Sequence, residues 1–194
     1  MGRTLTTYLV LLRGINVGGK NKVPMAELKV LLTELGFKDV TTYIQSGNAI
    51  LRSELTAGTI ATRIEEALPK HFTLDTELIR VLVLSRAALE AVVRDRPQGF
   101  GDQPDTYHSD AIFLMGIDAA EATPAFSPKE GVDRVWPGDG VVYSQRLSAQ
   151  RTKSRLNRVI GSPVYKSMTI RSWQTTLALV DLVRAVDQAE VGGA

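Results

Sequence analysis

The chain has 194 residues, 44% of them apolar, 23% charged and 6% aromatic, with a formal net charge of +2. That composition fits one large or two small globular domains and excludes collagen-like, coiled-coil and low-complexity classes. The absence of cysteine excludes disulfide scaffolds, thiolate metal sites and cysteine nucleophiles, and two histidines, His71 and His108, are too few for a dedicated transition-metal site.

Thr6–Leu12 reads as a strand that is apolar on both faces and should therefore be covered on both. The loop Arg13–Val23 follows, rich in glycine. Pro24 suits the first turn of a helix. Met25, Leu28, Leu31, Leu32 and Leu35 give that helix an apolar stripe, and Gly36 stops it. Val40–Gln45 is a second strand, Ser46-Gly47-Asn48 a turn, and Ala49–Arg52 a third strand. Thr56 or Thr59 caps a helix reaching about His71, with Ile60, Ile64, Ala67 and Leu68 inward. Leu78–Leu84 is a fourth strand. The resulting β-α-β-β-α-β order is the ferredoxin-like signature.

Ser85 caps a helix to about Asp95, with Ala88, Leu89, Val92 and Val93 inward. Arg96–His108 reads as a linker or flap. A second cycle then runs through a strand at Asp110–Met115 and a short helix at Asp118–Thr123. A hairpin follows, Val132–Trp136 and Val141–Gln145 around Pro137–Gly140. Arg151–Ile160 reads as a helix with Leu156, Val159 and Ile160 inward, Met168–Arg171 as an edge strand, and Thr175–Val186 as a closing helix with Leu177, Leu179, Val180, Leu182 and Val183 apolar. The fold class expected is α+β, two ferredoxin-like (α–β plait) subdomains packed together with extra helices. The expected division is 1–84, a helix and linker over 85–108, and 109–194.

Charge is unevenly spread. Residues 1–26 and 140–180 carry bases and no acid, whereas residues 27–139 hold 18 acids against 11 bases. Such stretches suit anionic partners, or are simply solvated faces. No stretch approaches the roughly 18 apolar residues of a membrane span. The start, Met1–Thr6, lacks a secretory apolar region, although Gly2 and Thr6 fit the loose myristoylation pattern. A cytoplasmic protein without a membrane partner is expected.

Gly14-x4-Gly19-Lys20 after a strand approximates a phosphate-binding P-loop. The closing hydroxyl is replaced by Asn21, and the helix starts four residues late, so nucleoside-triphosphate hydrolysis is disfavoured. Two readings stay open for the loop: a surface anion site using Arg13, Lys20 and Lys22, or a tight connection whose glycines take positive φ. Ser46 has no evident base and reads as part of a hairpin turn. As base-stacking platforms the first half offers only Tyr8, and Phe113 and Tyr143 of the second half read better as core residues, which disfavours a standard RNA-recognition module. Thr169–Thr176 is a polar cluster that can cap the last helix, with Arg171 able to fork onto a carboxylate or phosphate.

The run YLVLLRGINVGGKNKVPMAELKVLLTELGF, followed by VTTYIQSGNAILRS, resembles a bacterial family, domain of unknown function 1697, and the likeness returns at DRVWPGDGVVYS and at Thr169–Thr176. The resemblance implies two partly intertwined α–β-plait subdomains and no particular activity. Ser172 and Gln174 stand where the family usually has asparagines. The leading expectation is a binding protein for an anion, either nucleic acid or a phosphorylated small molecule, without a cofactor or metal. The expected ligand set is Arg13, Asn16, Gly18, Gly19, Lys20, Lys22, Ser46, Asn48 and Arg171. The alternatives are an enzyme on a phosphorylated substrate, with Asn16, Lys20, Ser46, Asn48 and Arg171 around one cleft, and an assembly module without ligand, such as a homodimer.

Overall fold

The structure is a computed structural model that describes residues 5–76 and 78–191, the side chains of 190 and 191 excepted. The myristoylation pattern at Gly2 lies outside the described residues. The chain forms a mixed α+β structure with two four-stranded antiparallel sheets and several helices. It separates into two compact units, one of residues up to Glu90 together with those from Leu179, the other Ala91–Ala178.

The first unit contains β1 (Thr6–Leu12), α1 (Met25–Glu34), β2 (Lys38–Tyr43), β3 (Asn48–Ser53), α2 (Ala57–His71) and β4 (Val81–Ser85). Its sheet runs β2-β3-β1-β4. The two-sided apolarity of β1 has its expected consequence, since Leu9, Val10, Leu11 and Leu12 are all fully buried. Val10 and Leu12 share a core with Leu28, Leu31 and Leu32 of α1 and Ile60, Ile64 and Leu68 of α2. Each such residue contributes roughly 1.5–3 kcal/mol of burial. Thr56 is the cap of α2, its hydroxyl accepting from the Thr59 amide at 3.3 Å. Pro24 stands one residue before α1, at its N-cap.

Two strands are displaced from their expected limits. β2 ends at Tyr43 because Ile44 takes φ 47°, outside the extended region. β4 begins at Val81 rather than Leu78, which is 56% exposed. The preceding segment is held elsewhere, with the amides of Asp75 and Thr76 donating to the Asn21 side chain.

The second unit contains β5 (Tyr107–Leu114), α4 (Ala119–Ala122), β6 (Asp133–Pro137), β7 (Val141–Leu147) and β8 (Met168–Ser172). Helix α3 (Arg86–Arg94) begins in the first unit and ends in the second, and α5 (Trp173–Val191) does the reverse. Ser85 caps α3 through the Ala88 amide (3.2 Å), but Ala88 itself is exposed rather than inward. The sheet runs β6-β7-β5-β8, so each sheet has its own second, third, first and fourth strands in that order. Ile112, Leu114, Val142 and Met168 pack with Ala119, Ala122, Phe126, Leu156 and Val159.

The helix expected over Arg151–Ile160 is absent. Three 3₁₀ segments, Ser148–Lys153, Leu156–Gly161 and Pro163–Ser167, take its place. Ser154 and Ser162 are extended (ψ 143° and 151°) and interrupt the turns, and Ile160 is 55% exposed. Residues 96–106, read above as a linker or flap, fold as consecutive turns that bury Phe100 to 1% exposure. Phe100 meets Tyr143 and Trp173 edge-on at 5.2 and 5.0 Å. Residues from Leu179 group with the first unit. Their ties explain the grouping: Arg86 pairs with Asp187 (2.7 Å), Arg184 with Glu90 (2.7 Å), and the Thr7 hydroxyl donates to Asp187.

Candidate functional site

Three connections of the first unit meet at one end of its sheet, because Leu12 pairs with Val81 and Leu11 with Asn48. They are residues 13–24, 44–47 and, among the described residues, 72–76 with 78–80. The ladder continues one step into them, with Leu12 N donating to Gly47 O (2.8 Å) and Arg13 N to Arg80 O (2.9 Å).

The glycine-rich loop is organised by two asparagines. Asn16 (φ 55°) accepts from Val23 N at 2.8 Å and donates to Val23 O and to Gln45 O, both at 2.9 Å. It thus fastens the loop to the 44–47 hairpin. Asn21 (φ 48°) is 6% exposed. Its amide group donates to Gly14 O (3.0 Å), and its carbonyl accepts from Asp75 N (2.9 Å), Thr76 N (3.2 Å) and the Thr76 hydroxyl (3.3 Å). Its backbone N–H donates to the Asp75 carboxylate at 2.5 Å. Each such bond contributes about 0.5–1.5 kcal/mol net, so the loop is fixed chiefly by side chains reaching back into the protein.

Between the asparagines, Val17-Gly18-Gly19-Lys20 makes a two-residue turn closed by Lys20 N donating to Val17 O (3.0 Å). Both glycines have positive φ, 60° and 77°, as a type I′ turn demands. The amides of Asn16, Lys20 and Asn21 are therefore engaged within the protein, and the loop does not have the open amide cradle of a P-loop. Its outward groups are Val17, Gly18, Gly19, Lys20 and Lys22, all exposed. Lys20 and Lys22 form no ion pair among the described residues, and Arg13 is half-buried at the loop's base.

Asn48 is fully buried and donates to Tyr43 O (3.0 Å) and to the Ser46 hydroxyl (2.9 Å). Ser46 and Asn48 thus build the hairpin turn that their spacing suggested. Beside them Ile44 is 48% exposed with φ 47°, a strained conformation for a β-branched residue. The arrangement brings Arg13, Asn16, Gly18, Gly19, Lys20, Lys22, Ser46 and Asn48 to one end of one sheet.

Arg171 lies in the second unit, on β8, 6% exposed. Its guanidinium donates to the Thr169 hydroxyl (3.0 Å) and to Ile170 O (2.8 Å), and burial pulls its pKa down to about 10. The polar cluster around it caps α5 as expected, with Ser172 Oγ accepting from Thr175 N at 3.2 Å. Phe113 and Tyr143 are each 1% exposed and belong to the core. Tyr143 donates to Val92 O (2.7 Å), and its burial, with Asp95 nearby, raises its pKa to about 12.

Residue-by-residue reading missed Gln45, Asp75 and Thr76 as partners of the loop. It also missed a pocket of about 330 Å³ in the second unit, beside His108 and Trp173. Among the described residues no group of three or more acidic or histidine side chains could hold a metal, and no helix is long and apolar enough to cross a membrane.

No curated protein matches the sequence. Among solved structures, the conserved bacterial protein SP0830 from Streptococcus pneumoniae is similar, with a TM-score of 0.74 and 27% identity over 93% of this chain and 99% of that one. A family model described as protein of unknown function (DUF1697) matches residues 5–143. The span reaches from β1 into β7 and includes the loop, the hairpin and the segment that Asn21 holds, and the chain belongs to that family.

Proposed function

We propose that the protein binds an anionic ligand, a nucleic acid or a phosphorylated small molecule, at the loop end of the first sheet. The observation that carries this reading is the division of labour within residues 16–22. Asn16 and Asn21 turn inward and hold the loop, while Lys20 and Lys22, on either side of Asn21, stand exposed. A fixed loop presents its cations without a further ordering cost on binding. The glycine turn keeps side chains away from its tip, so a phosphate can approach the backbone. We read both units as ferredoxin-like plaits joined through residues 85–108, and place the protein in the cytoplasm, where a cysteine-free chain loses nothing to reduction.

Lys20→Ala combined with Lys22→Ala tests the proposal. Fluorescence polarisation with a labelled single-stranded oligonucleotide, and calorimetry with pyrophosphate, should show binding by the unaltered protein in dilute buffer and at least fivefold weaker binding by the double variant. The melting temperature should be unchanged. Equal affinity in both proteins, or no binding of either probe, contradicts it. A response to the oligonucleotide alone identifies the ligand as nucleic acid.

A further inference from the structure

We infer that the second unit carries a ligand pocket of its own, suited to a small neutral nitrogen heterocycle that presents an N–H beside a C=O. The cavity, about 330 Å³, lies among Gly101, Pro104, Tyr107, His108, Trp173 and Leu177. Ligand pockets run from about 300 to 1,000 Å³, so this one holds one ring or two fused rings.

Trp173 supplies the donor. Its side chain lines the pocket, the residue is 5% exposed, and its indole N–H has no hydrogen-bond acceptor among the described residues. That N–H reaches solvent through the pocket rather than being sealed in the core, so a ligand there can accept from it. The space beside this one is open because residue 101 is glycine: a Cβ there would lie 2.3 Å from both Nε1 and Cδ1 of Trp173. Gly101 also has φ 79°, a conformation that disfavours any replacement.

His108 supplies the acceptor. Its Nε2 lies 3.0 Å from Asp110 Oδ1. A carboxylate oxygen accepts, so the tautomer that fits this contact carries its hydrogen on Nε2 and leaves Nδ1 as a lone pair. Arg146 Nη1 lies 4.0 Å from the other oxygen, Asp110 Oδ2. Nδ1 has no partner among the described residues. Tyr107, Pro104 and the 39%-exposed Leu177 give the walls apolar surface. Ser109, Ser172 and Gln174 complete the lining, and the Trp173 donor and His108 acceptor between partly apolar walls complement a ring of the uracil or guanine type. An aromatic carboxylate offers no N–H to His108 and would meet the charge of Asp110.

Trp136→Phe leaves Trp173 as the sole tryptophan and a direct reporter. Its fluorescence should change saturably with uracil or guanosine, and at least tenfold more ligand should be needed with 1,3-dimethyluracil, which lacks the N–H, or with benzoate. In the unaltered protein the same compounds should raise the melting temperature in the same order, a readout that needs no variant. His108→Ala, an exposed position, should weaken uracil or guanosine at least fivefold, and Leu177→Arg at the mouth should abolish binding, both without a change in melting temperature. The Lys20→Ala and Lys22→Ala variant should bind as tightly as the unaltered protein. No saturable response to uracil and guanosine, equal binding of the dimethyl compound, or loss of binding in the lysine variant overturns the inference.

Discussion

The two sheets share a strand order, yet the connection into the last strand is built on different physics in each. In the first unit it is the 15-residue α2, which buries Ile60, Ile64 and Leu68 at successive four-residue intervals. In the second it is three 3₁₀ segments that bury Leu156 and Val159 and break at Ser154 and Ser162. What fastens these turns is polar. The Asp133 carboxylate, 6% exposed, accepts from Arg155 N (2.8 Å) and Lys129 N (2.9 Å). Burial alone would raise the Asp133 pKa, but those two amides, the Ser154 hydroxyl and Arg146 together hold it below the usual carboxylate value. One connection is held by apolar area and the other by a charge, so the two should fail differently.

The largest effect should come from Ile64→Ala, which removes a fully buried side chain from the core of the first unit and should cost about 2–5 kcal/mol. Denaturant unfolding followed by circular dichroism measures it, and the loss should be the same at pH 5 and pH 7. Asp133→Asn should cost about 1.5–3 kcal/mol at neutral pH. Both tryptophans lie in the second unit, so their fluorescence reports it.

This second loss should depend on pH. A carboxylate whose folded pKa is depressed stabilises above its unfolded pKa, about 3.9. That contribution disappears as pH falls through the lower, folded value. The variant should therefore show a shallower loss of stability below about pH 5 than the unaltered protein. Parallel acid limbs would mean that Asp133 does not fasten the turns.

A similar contrast explains what could be read from the sequence. Helix α2 was legible because Thr56 and the Ile60–Ile64–Leu68 spacing agree with each other, and β1 because four consecutive apolar residues need cover on both faces. The 151–160 stretch misled because Leu156, Val159 and Ile160 mimic a helical stripe. Nothing local announces that Ser154 is extended or that a carboxylate on β6 will take the Arg155 amide. Asn21 was noticed for the hydroxyl it lacks. Its position between two lysines carried the useful information, an inward residue flanked by outward cations, but its partners Asp75 and Thr76 are 54 and 55 positions away. His108 read as the end of the 96–108 linker and Asp110 as the start of the next strand, although both stand on β5, and the opening beside Trp173 depends on Gly101, which no spacing rule connects to it.

Smaller effects should separate fastening residues from presenting ones. Asn21→Ala should cost about 1.5–3 kcal/mol, since it breaks the ties to Gly14, Asp75 and Thr76. Chemical denaturation should show Asn21→Gly costing less, because glycine accepts the positive φ that alanine resists. Thr56→Ala should cost about 1 kcal/mol by removing the cap of α2. A helix content unchanged in midpoint would show that Thr56 contributes nothing.

The smallest stability change belongs to Lys20→Ala with Lys22→Ala, within about 0.5 kcal/mol, and this pair gives the most direct test of the loop as a binding surface. The measurement is the dependence of single-stranded oligonucleotide affinity on salt. Each neutralised phosphate contributes about −0.7 to the slope of log K against log salt. If both lysines contact phosphates, the double variant should lose about 1.4 from the magnitude of that slope while melting as the unaltered protein does. An identical slope in the two proteins would contradict the account and leave residues 13–23 a connection held by its asparagines.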